Sequence, residues 1–261
     1  MNGWGIRDEV KGLLDFFFPP ICLLCQKPLG DSPDDSLCCH CLSGCPLLPS
    51  PRCPRCALPF STIGGSDHLC GECLLDPPDF SRTVAGGLYE DLLRHAIHRF
   101  KFDGLLSLDR PLARLLDRAW ERELPDWQPD LIIPVPLHPQ RLQQRTYNQS
   151  LLIARELGRS RKCPVDPCRL LRILPTVAQA GLSARARHSN LRGAFMLKRP
   201  LQGEKILLVD DVMTTGTTAR ICAKTLRSGG AGEVVLAALA RARRNSLLGL
   251  ETAAVSIDFF G

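Results

Sequence analysis

Residues 206–219 read Ile-Leu-Leu-Val-Asp-Asp-Val-Met-Thr-Thr-Gly-Thr-Thr-Ala, and no other stretch narrows the choice of fold as far. An apolar run that meets two adjacent carboxylates and then passes, through threonines around one glycine, into a helical pattern marks the junction of a buried strand with the next helix. The pattern predicts a strand over Lys205–Val209, a helix from Thr217 to about Ser228 and a further apolar strand over Glu233–Arg241. Strand, helix, strand, with strands apolar on both faces, is the pattern of a parallel sheet in an α/β domain.

Ligands of such sheets bind beyond the carboxyl ends of the strands, which is where Asp210 and Asp211 fall. The turn Thr214-Thr215-Gly216-Thr217-Thr218 leads into a helix N-terminus, where free N–H groups, the helix dipole and hydroxyls suit a phosphate. The carboxylates do not suit a phosphate, but they accept hydrogen bonds from vicinal ribose hydroxyls. A Walker A loop is excluded, because no lysine follows Gly216. Solvent-exposed acids and an ordinary threonine cap would explain either half of the stretch, but not their coincidence in order and spacing.

Ten of the thirteen cysteines precede residue 74, and eight of them form four Cys-x-x-Cys pairs: Cys22/Cys25, Cys38/Cys41, Cys53/Cys56 and Cys70/Cys73. Each pair aims two thiolates at one point, so two pairs supply the four soft ligands of a tetrahedral Zn²⁺. Disulfides would suit an exported chain, and no secretory signal is visible. Pairing in sequence order gives one site from Cys22, Cys25, Cys38 and Cys41 and another from Cys53, Cys56, Cys70 and Cys73, while spacing also permits an interleaved arrangement. With four thiolates per site no position stays open, so the metal is structural, and His40 and His68 are bystanders. These residues carry few large apolar side chains, so metal is what would hold such a segment together. The expected division is a double cysteine-knuckle domain over 1–76 and an α/β domain over 77–261.

Between the two, the sequence 74–80 reads as a proline-blocked linker, 82–90 as a strand, and 91–102 and 105–124 as helices. A strand starts at Asp130 and is stopped by prolines at 134, 136 and 139; a helix from about Asn148 ends at Gly158; 169–174 is a short strand. Residues 176–195 look like a long loop, and 254–260 like an edge strand. The apolar run 13–18 is interrupted by Asp15 and followed by two prolines, far short of the roughly 20 residues a membrane span needs, so a cytoplasmic protein without membrane insertion is expected. The net charge of +6 is unevenly placed: thirteen Lys/Arg against Glu156 and Asp166 lie between Arg141 and Arg199. That surplus fits a solvated face or a polyanion, whether a phosphorylated metabolite or a nucleic acid.

The stretch 206–219 resembles the 5-phosphoribosyl-1-pyrophosphate (PRPP) loop of type I phosphoribosyltransferases. With the four cysteine pairs, His98-Arg-Phe-Lys-Phe102 and the segments 134–150 and 179–195, the chain is similar to the ComF family of that fold, a group linked to natural competence. The resemblance implies a phosphoribosyltransferase-like parallel sheet flanked by helices and preceded by a small zinc-binding domain. It implies that Asp210 and Asp211 hold the ribose hydroxyls, that Thr214, Thr215, Gly216, Thr217 and Thr218 cradle the 5-phosphate, and that the turn at Pro136 takes pyrophosphate. Arg141 and Arg145 would neutralise that group together with Mg²⁺, and Arg185 and Arg187 would reach it from a flexible loop over 179–190. Lys101 would meet the acceptor. One departure is visible: Arg145-Thr146-Tyr147-Asn148-Gln149 stands where many members have glycine after the arginine. Two functions follow: an enzyme transferring phosphoribosyl from PRPP to an unidentified nitrogenous acceptor, or a non-catalytic, PRPP-responsive module that binds single-stranded DNA alongside DNA-uptake proteins. The scarcity of aromatics in the basic segment, only Tyr147 and Phe195, weighs against a base-stacking platform there.

Overall fold

The computed structural model describes residues 17–29, 36–62, 64–174 and 193–243. The elements in chain order are α1 (Cys39–Ser43), α2 (Gly71–Leu75), β1 (Arg82–Leu88), α3 (Asp91–Phe102), a 3₁₀ turn (Leu106–Leu108), α4 (Asp109–Glu123), β2 (Leu131–Pro134), α5 (Pro139–Arg145), α6 (Gln149–Arg161), β3 (Leu170–Arg172), β4 (Phe195–Leu197), β5 (Lys205–Met213), α7 (Thr217–Ser228) and β6 (Glu233–Arg241). Four strands form one sheet in the order β1-β6-β5-β2, every neighbouring pair parallel. β3 and β4 pair antiparallel as a separate ribbon. The expected parallel sheet flanked by helices is present. Among the described residues no helix is long and apolar enough to cross a membrane.

Strand alternation sorts the buried side chains into two layers. Leu207, Val209, Val235 and Ala237 face α3, α4 and α6, whose Leu93, Ile97, Phe100, Leu116, Trp120 and Ile153 complete that core. Ile206, Leu208, Leu236 and Ala238 face α7 and the β3–β4 ribbon through Cys222, Leu226, Leu170 and Phe195. The first cysteine cluster belongs to the former layer and the second to the latter. The two halves of the cysteine-rich region therefore straddle the sheet.

Those halves repeat one design. Each opens on a knuckle, in which Cys22 N–H bonds Lys27 O and Cys53 N–H bonds Leu58 O, and each knuckle turns through a left-handed residue, Gln26 or Ala57. Each closes on a short helix whose N-cap is itself a cysteine, Cys38 for α1 and Cys70 for α2.

Two local expectations are corrected, and one unforeseen helix is added. β5 does not stop at Val209 but continues to Met213, because β6 runs beside it with Asp210 opposite Ala238 and Met213 opposite Arg241. The other neighbour, β2, ends with Pro134 opposite Val209. The acids therefore sit on a hydrogen-bonded strand with one edge open. Gly158 does not end α6, which runs on to Arg161 and stops at the left-handed Lys162. Its role is close approach: a Cβ there would stand 2.5 Å from Val165 Cγ2, and Val165 adds a parallel bridge to Ile132 at the β2 edge. The proline-rich stretch after β2 also contains a helix, α5, with Pro139 in its first turn, a position where a missing N–H costs nothing.

Candidate functional site

The site assembles where β5 outruns β2. Asp210 and Asp211 are both half-buried. Asp211 Oδ2 forms an ion pair with Lys101 Nζ at 2.9 Å, so α3 contributes a cation to the acid pair. Ser150 Oγ, in the first turn of α6, donates to Asp210 Oδ1 at 3.5 Å, and the backbone N–H of Asp211 donates to the same oxygen at 2.8 Å. Burial, and then the neighbouring Asp211 carboxylate, push the Asp210 carboxyl up to about 7; the Asp211 N–H, Lys101 and Ser150 resist without reversing this. One carboxyl of the pair is thus poised to exchange a proton near neutrality, while the other is held by its lysine.

Beyond Met213 the chain turns through Gly216 at φ +76° into α7. Thr215 Oγ1 lies 2.9 Å from Thr217 Oγ1 and accepts from Thr217 N–H at 3.4 Å, which satisfies one of the free amides of the helix start. The turn is braced from behind by Arg241, the last residue of β6 and 4% exposed. Its Nη1 donates to Met213 O at 3.0 Å, to Thr214 O at 2.5 Å and to Ala242 O at 2.7 Å.

The third wall is the turn after β2. Val135 N–H bonds Val209 O at 2.8 Å, Pro136 is buried, and His138 Nδ1 accepts from Gln140 N–H as the cap of α5. His138 is therefore local structure. Arg141 faces both Arg145 and Asp211, and burial, then Arg145, lower its affinity for the proton. Arg145 lies over the ring of Phe102, 4.9 Å from its centroid, and Phe102 is 58% exposed, with the His98 ring tilted against it at 4.8 Å between centroids. Thr146, where a glycine is common, adopts the glycine-like conformation all the same, with φ +64°. A cavity of about 650 Å³ is lined by this turn, α5, the start of α6 and β3. It reaches Pro136 and Arg172 but not the acid pair or the threonines.

The structure thus brings Asp210, Asp211, Lys101 and Arg141 together, with the threonine turn immediately downstream of the acids. It turns Arg145 towards Phe102. Arg185 and Arg187, with the whole of the 179–190 loop and the expected strand at 254–260, lie outside the described residues. Four side chains escaped the sequence reading: Ser150, Arg172, Arg220 and Arg241. Among the described residues Arg172 Nε is buried without a hydrogen-bond partner, and its guanidinium faces Arg141 and Asp210. The one available signal was positional, since Arg172 and Arg241 are cations inside or at the end of otherwise apolar strands.

The cysteines gather in sequence order: Cys22, Cys25, Cys38 and Cys41 in one cluster, Cys53, Cys56, Cys70 and Cys73 in the other, with all sulfurs of a cluster within 4.8 Å of one another. Cys25 Sγ to Cys38 Sγ and Cys56 Sγ to Cys70 Sγ both measure 3.6 Å. That is far beyond a disulfide bond of about 2.05 Å, and near the edge of a tetrahedron built on metal–sulfur bonds of about 2.3 Å. Within each cluster the proton affinities of the thiols are pushed apart: burial opposes it, but backbone N–H donors lower Cys22 and Cys53 to about 7, while burial and the neighbouring sulfurs raise Cys25, Cys41, Cys56 and Cys73. The donor sets fit structural zinc. His68 instead stacks on Phe60 at 4.2 Å, and Cys45 donates to Cys41 O at 3.4 Å.

Known proteins agree with this layout. Residues 13–74 match the model of the double zinc ribbon domain. The DNA utilization protein YhgH of Escherichia coli O157:H7 is 37% identical over 227 residues, covering 85% of this chain and 97% of that one. Competence protein F of Haemophilus influenzae is 36% identical over 221 residues, covering 78% and 96%. A purine phosphoribosyltransferase from Pyrococcus horikoshii superposes with a TM-score of 0.33 at 19% identity, over 50% of this chain and 73% of that one, an overlap too small to carry an argument. Two four-cysteine clusters straddling a parallel sheet, and more than a third of residues shared along nearly the whole length of YhgH, place the chain in the ComF family.

Proposed function

We propose that the protein binds PRPP and transfers its phosphoribosyl group to a nitrogenous acceptor. Asp210 and Asp211 accept hydrogen bonds from the ribose 2- and 3-hydroxyls, and the amides and hydroxyls of Thr214–Thr218 take the 5-phosphate. Pyrophosphate lies at the turn around Pro136, where Arg141 and Arg172 supply charge. Mg²⁺ entering with PRPP would help to neutralise the leaving group, and of the acid pair Asp210 would be the nearer free carboxylate to it, since Asp211 is paired with Lys101. In the transfer the acceptor nitrogen bonds to the anomeric carbon, the bond to pyrophosphate oxygen breaks, and the nitrogen's proton leaves to solvent or to Asp210. The surrounding charges stabilise the oxocarbenium-like state, so no covalent nucleophile is needed. The zinc-binding unit is assigned to 1–76 and the transferase-like unit to 77–261, and Arg185 and Arg187, outside the described residues, are assigned to the pyrophosphate.

The observation that carries this reading is the juxtaposition of the acid pair, at the open edge of β5, with a threonine turn that caps α7. Calorimetry with PRPP and Mg²⁺ tests it: Asp210→Ala/Asp211→Ala is expected to abolish binding, and affinity equal to that of the wild type overturns the assignment. A release assay for pyrophosphate against bases, nucleosides and DNA then identifies the acceptor.

One feature favours a second reading, in which the fold retains PRPP binding and handles single-stranded DNA without turnover. Phe102 presents an exposed ring beside Arg145 and His98 at the rim of the site, a combination suited to stacking a base. The relatives named for DNA utilization and competence point the same way. Titration with single-stranded DNA at several salt concentrations distinguishes the two: absence of binding at low salt leaves the enzyme alone.

A further inference from the structure

Arg241 is a buried cation that no carboxylate meets directly among the described residues, Glu72 acting on it only through space. Among the described residues it forms no ion pair, yet the residue is only 4% exposed. Besides the three carbonyls at the threonine turn, its Nε donates to Cys56 O at 3.0 Å, inside the knuckle of the second cysteine cluster. The register explains the reach: Arg241 stands directly opposite Met213 at the carboxyl end of the sheet, so one planar fork spans the exits of β5 and β6 and the knuckle beneath them. A second cation makes a parallel link. Arg220, in the first turn of α7, donates to Asp76 O at 2.7 Å and to Cys73 Sγ at 3.9 Å. The two ends of the threonine turn are thus each tied to the second cluster, one through the carbonyl of a ligand residue and one through a ligand sulfur.

The charges complement one another. A divalent metal held by four thiolates carries a net charge of about −2, and hydrogen bonds from outside the ligand set orient the ligands and stabilise that charge. Burying a guanidinium among carbonyls is costly; beside a loaded tetrathiolate, with Glu72 further off, it is compensated. Among the described residues no such arginine ties the first cluster to the threonine turn. It packs into the helical layer, where Arg99 Nη1 donates to Leu23 O at 2.8 Å, on the other face of the sheet.

We propose that Arg241 and Arg220 are positioning residues through which metal occupancy at Cys53, Cys56, Cys70 and Cys73 orders the Thr214–Thr218 turn, while occupancy at the first cluster does not. The coupling concerns the shape of the turn, so it holds whichever ligand the turn accepts.

Hydrogen–deuterium exchange on the zinc-loaded full chain, with native mass spectrometry to count metal, tests it without any ligand. Arg241→Met is expected to keep two zinc ions and to speed amide exchange over 213–219 by about ten-fold or more, the loss of at least one charge-assisted hydrogen bond. Arg241→Lys, which keeps the charge but not the fork, should fall between. Cys70→Ser should loosen the same segment and Cys41→Ser should leave it unchanged. Unaltered exchange over 213–219 in Arg241→Met, or equal loosening by Cys41→Ser and Cys70→Ser, overturns the proposal. If a cysteine variant does not fold, Arg220→Met against Arg99→Met makes the same comparison, with loosening of 213–219 expected only in the former and refutation if both or neither show it. Failure of PRPP to bind would leave these outcomes standing, so the two readings fail separately.

Discussion

Asp210 carries its charge at a cost to the fold. Its carboxyl, ordinarily near 3.8, is pushed up to about 7, chiefly by burial and then by Asp211. Between those values the folded chain holds a proton that the unfolded chain releases, so this group makes stability fall as pH rises through the window. Asp210→Asn removes the burden. The variant is expected to melt a few degrees above the wild type at pH 8.5 and close to it at pH 4, by circular dichroism of the zinc-loaded protein. A difference independent of pH would mean that the carboxyl is not the destabilised group.

At the scale of elements, two left-handed turns flank the acids and are built differently. Gly216 enters α7 at φ +76°, and a Cβ there would also meet Met213 Cε at 2.7 Å. Thr146 leaves α5 at φ +64° despite a branched side chain; its Oγ1 donates to Arg145 O at 2.6 Å, and Tyr147 Oη, next in the chain, anchors the segment to Phe100 O at 2.5 Å. The left-handed region costs a non-glycine residue roughly 1–2 kcal/mol. Gly216→Ala should therefore destabilise by about that amount, while Thr146→Gly should be neutral or mildly stabilising, since relief of strain is partly offset by the greater entropy of the unfolded chain. Urea melts of the two variants check the pair, and destabilisation by Thr146→Gly of more than about 1 kcal/mol would show that the threonine is stabilised by its surroundings rather than strained.

For the whole molecule, the cysteine-rich region is part of both cores. Its buried side chains join the helical layer on one face and the α7 layer on the other, and Arg52 Nη2 reaches Glu123 Oε1 of α4 at 3.0 Å. Metal removal is therefore expected to lower the melting temperature of the α/β core as well as that of the ribbons, in one cooperative transition. Scanning calorimetry with and without a zinc chelator reads this directly. Two separate transitions, with the upper one unmoved by the chelator, would show that the ribbons are appendages.

The linear order of chemistry is written in the chain. Apolar runs with period-free burial dictate β5 and β6, the 3.6-residue pattern dictates α3 and α4, and Cys-x-x-Cys spacing dictates two four-sulfur sites, because each of these depends on neighbours a few residues apart. The limits of β5 depended instead on β6 continuing beside it, and the work of Gly158 depended on Val165 packing against it. The sulfur pairing was likewise left open by spacing and settled by which knuckle lies on which face of the sheet. Lys101, Ser150, Arg172, Arg220 and Arg241 reach their partners across as many as 185 residues, the separation of Arg241 from Cys56. No local pattern encodes a contact of that kind, since it exists only once parallel strands from distant parts of the chain end side by side.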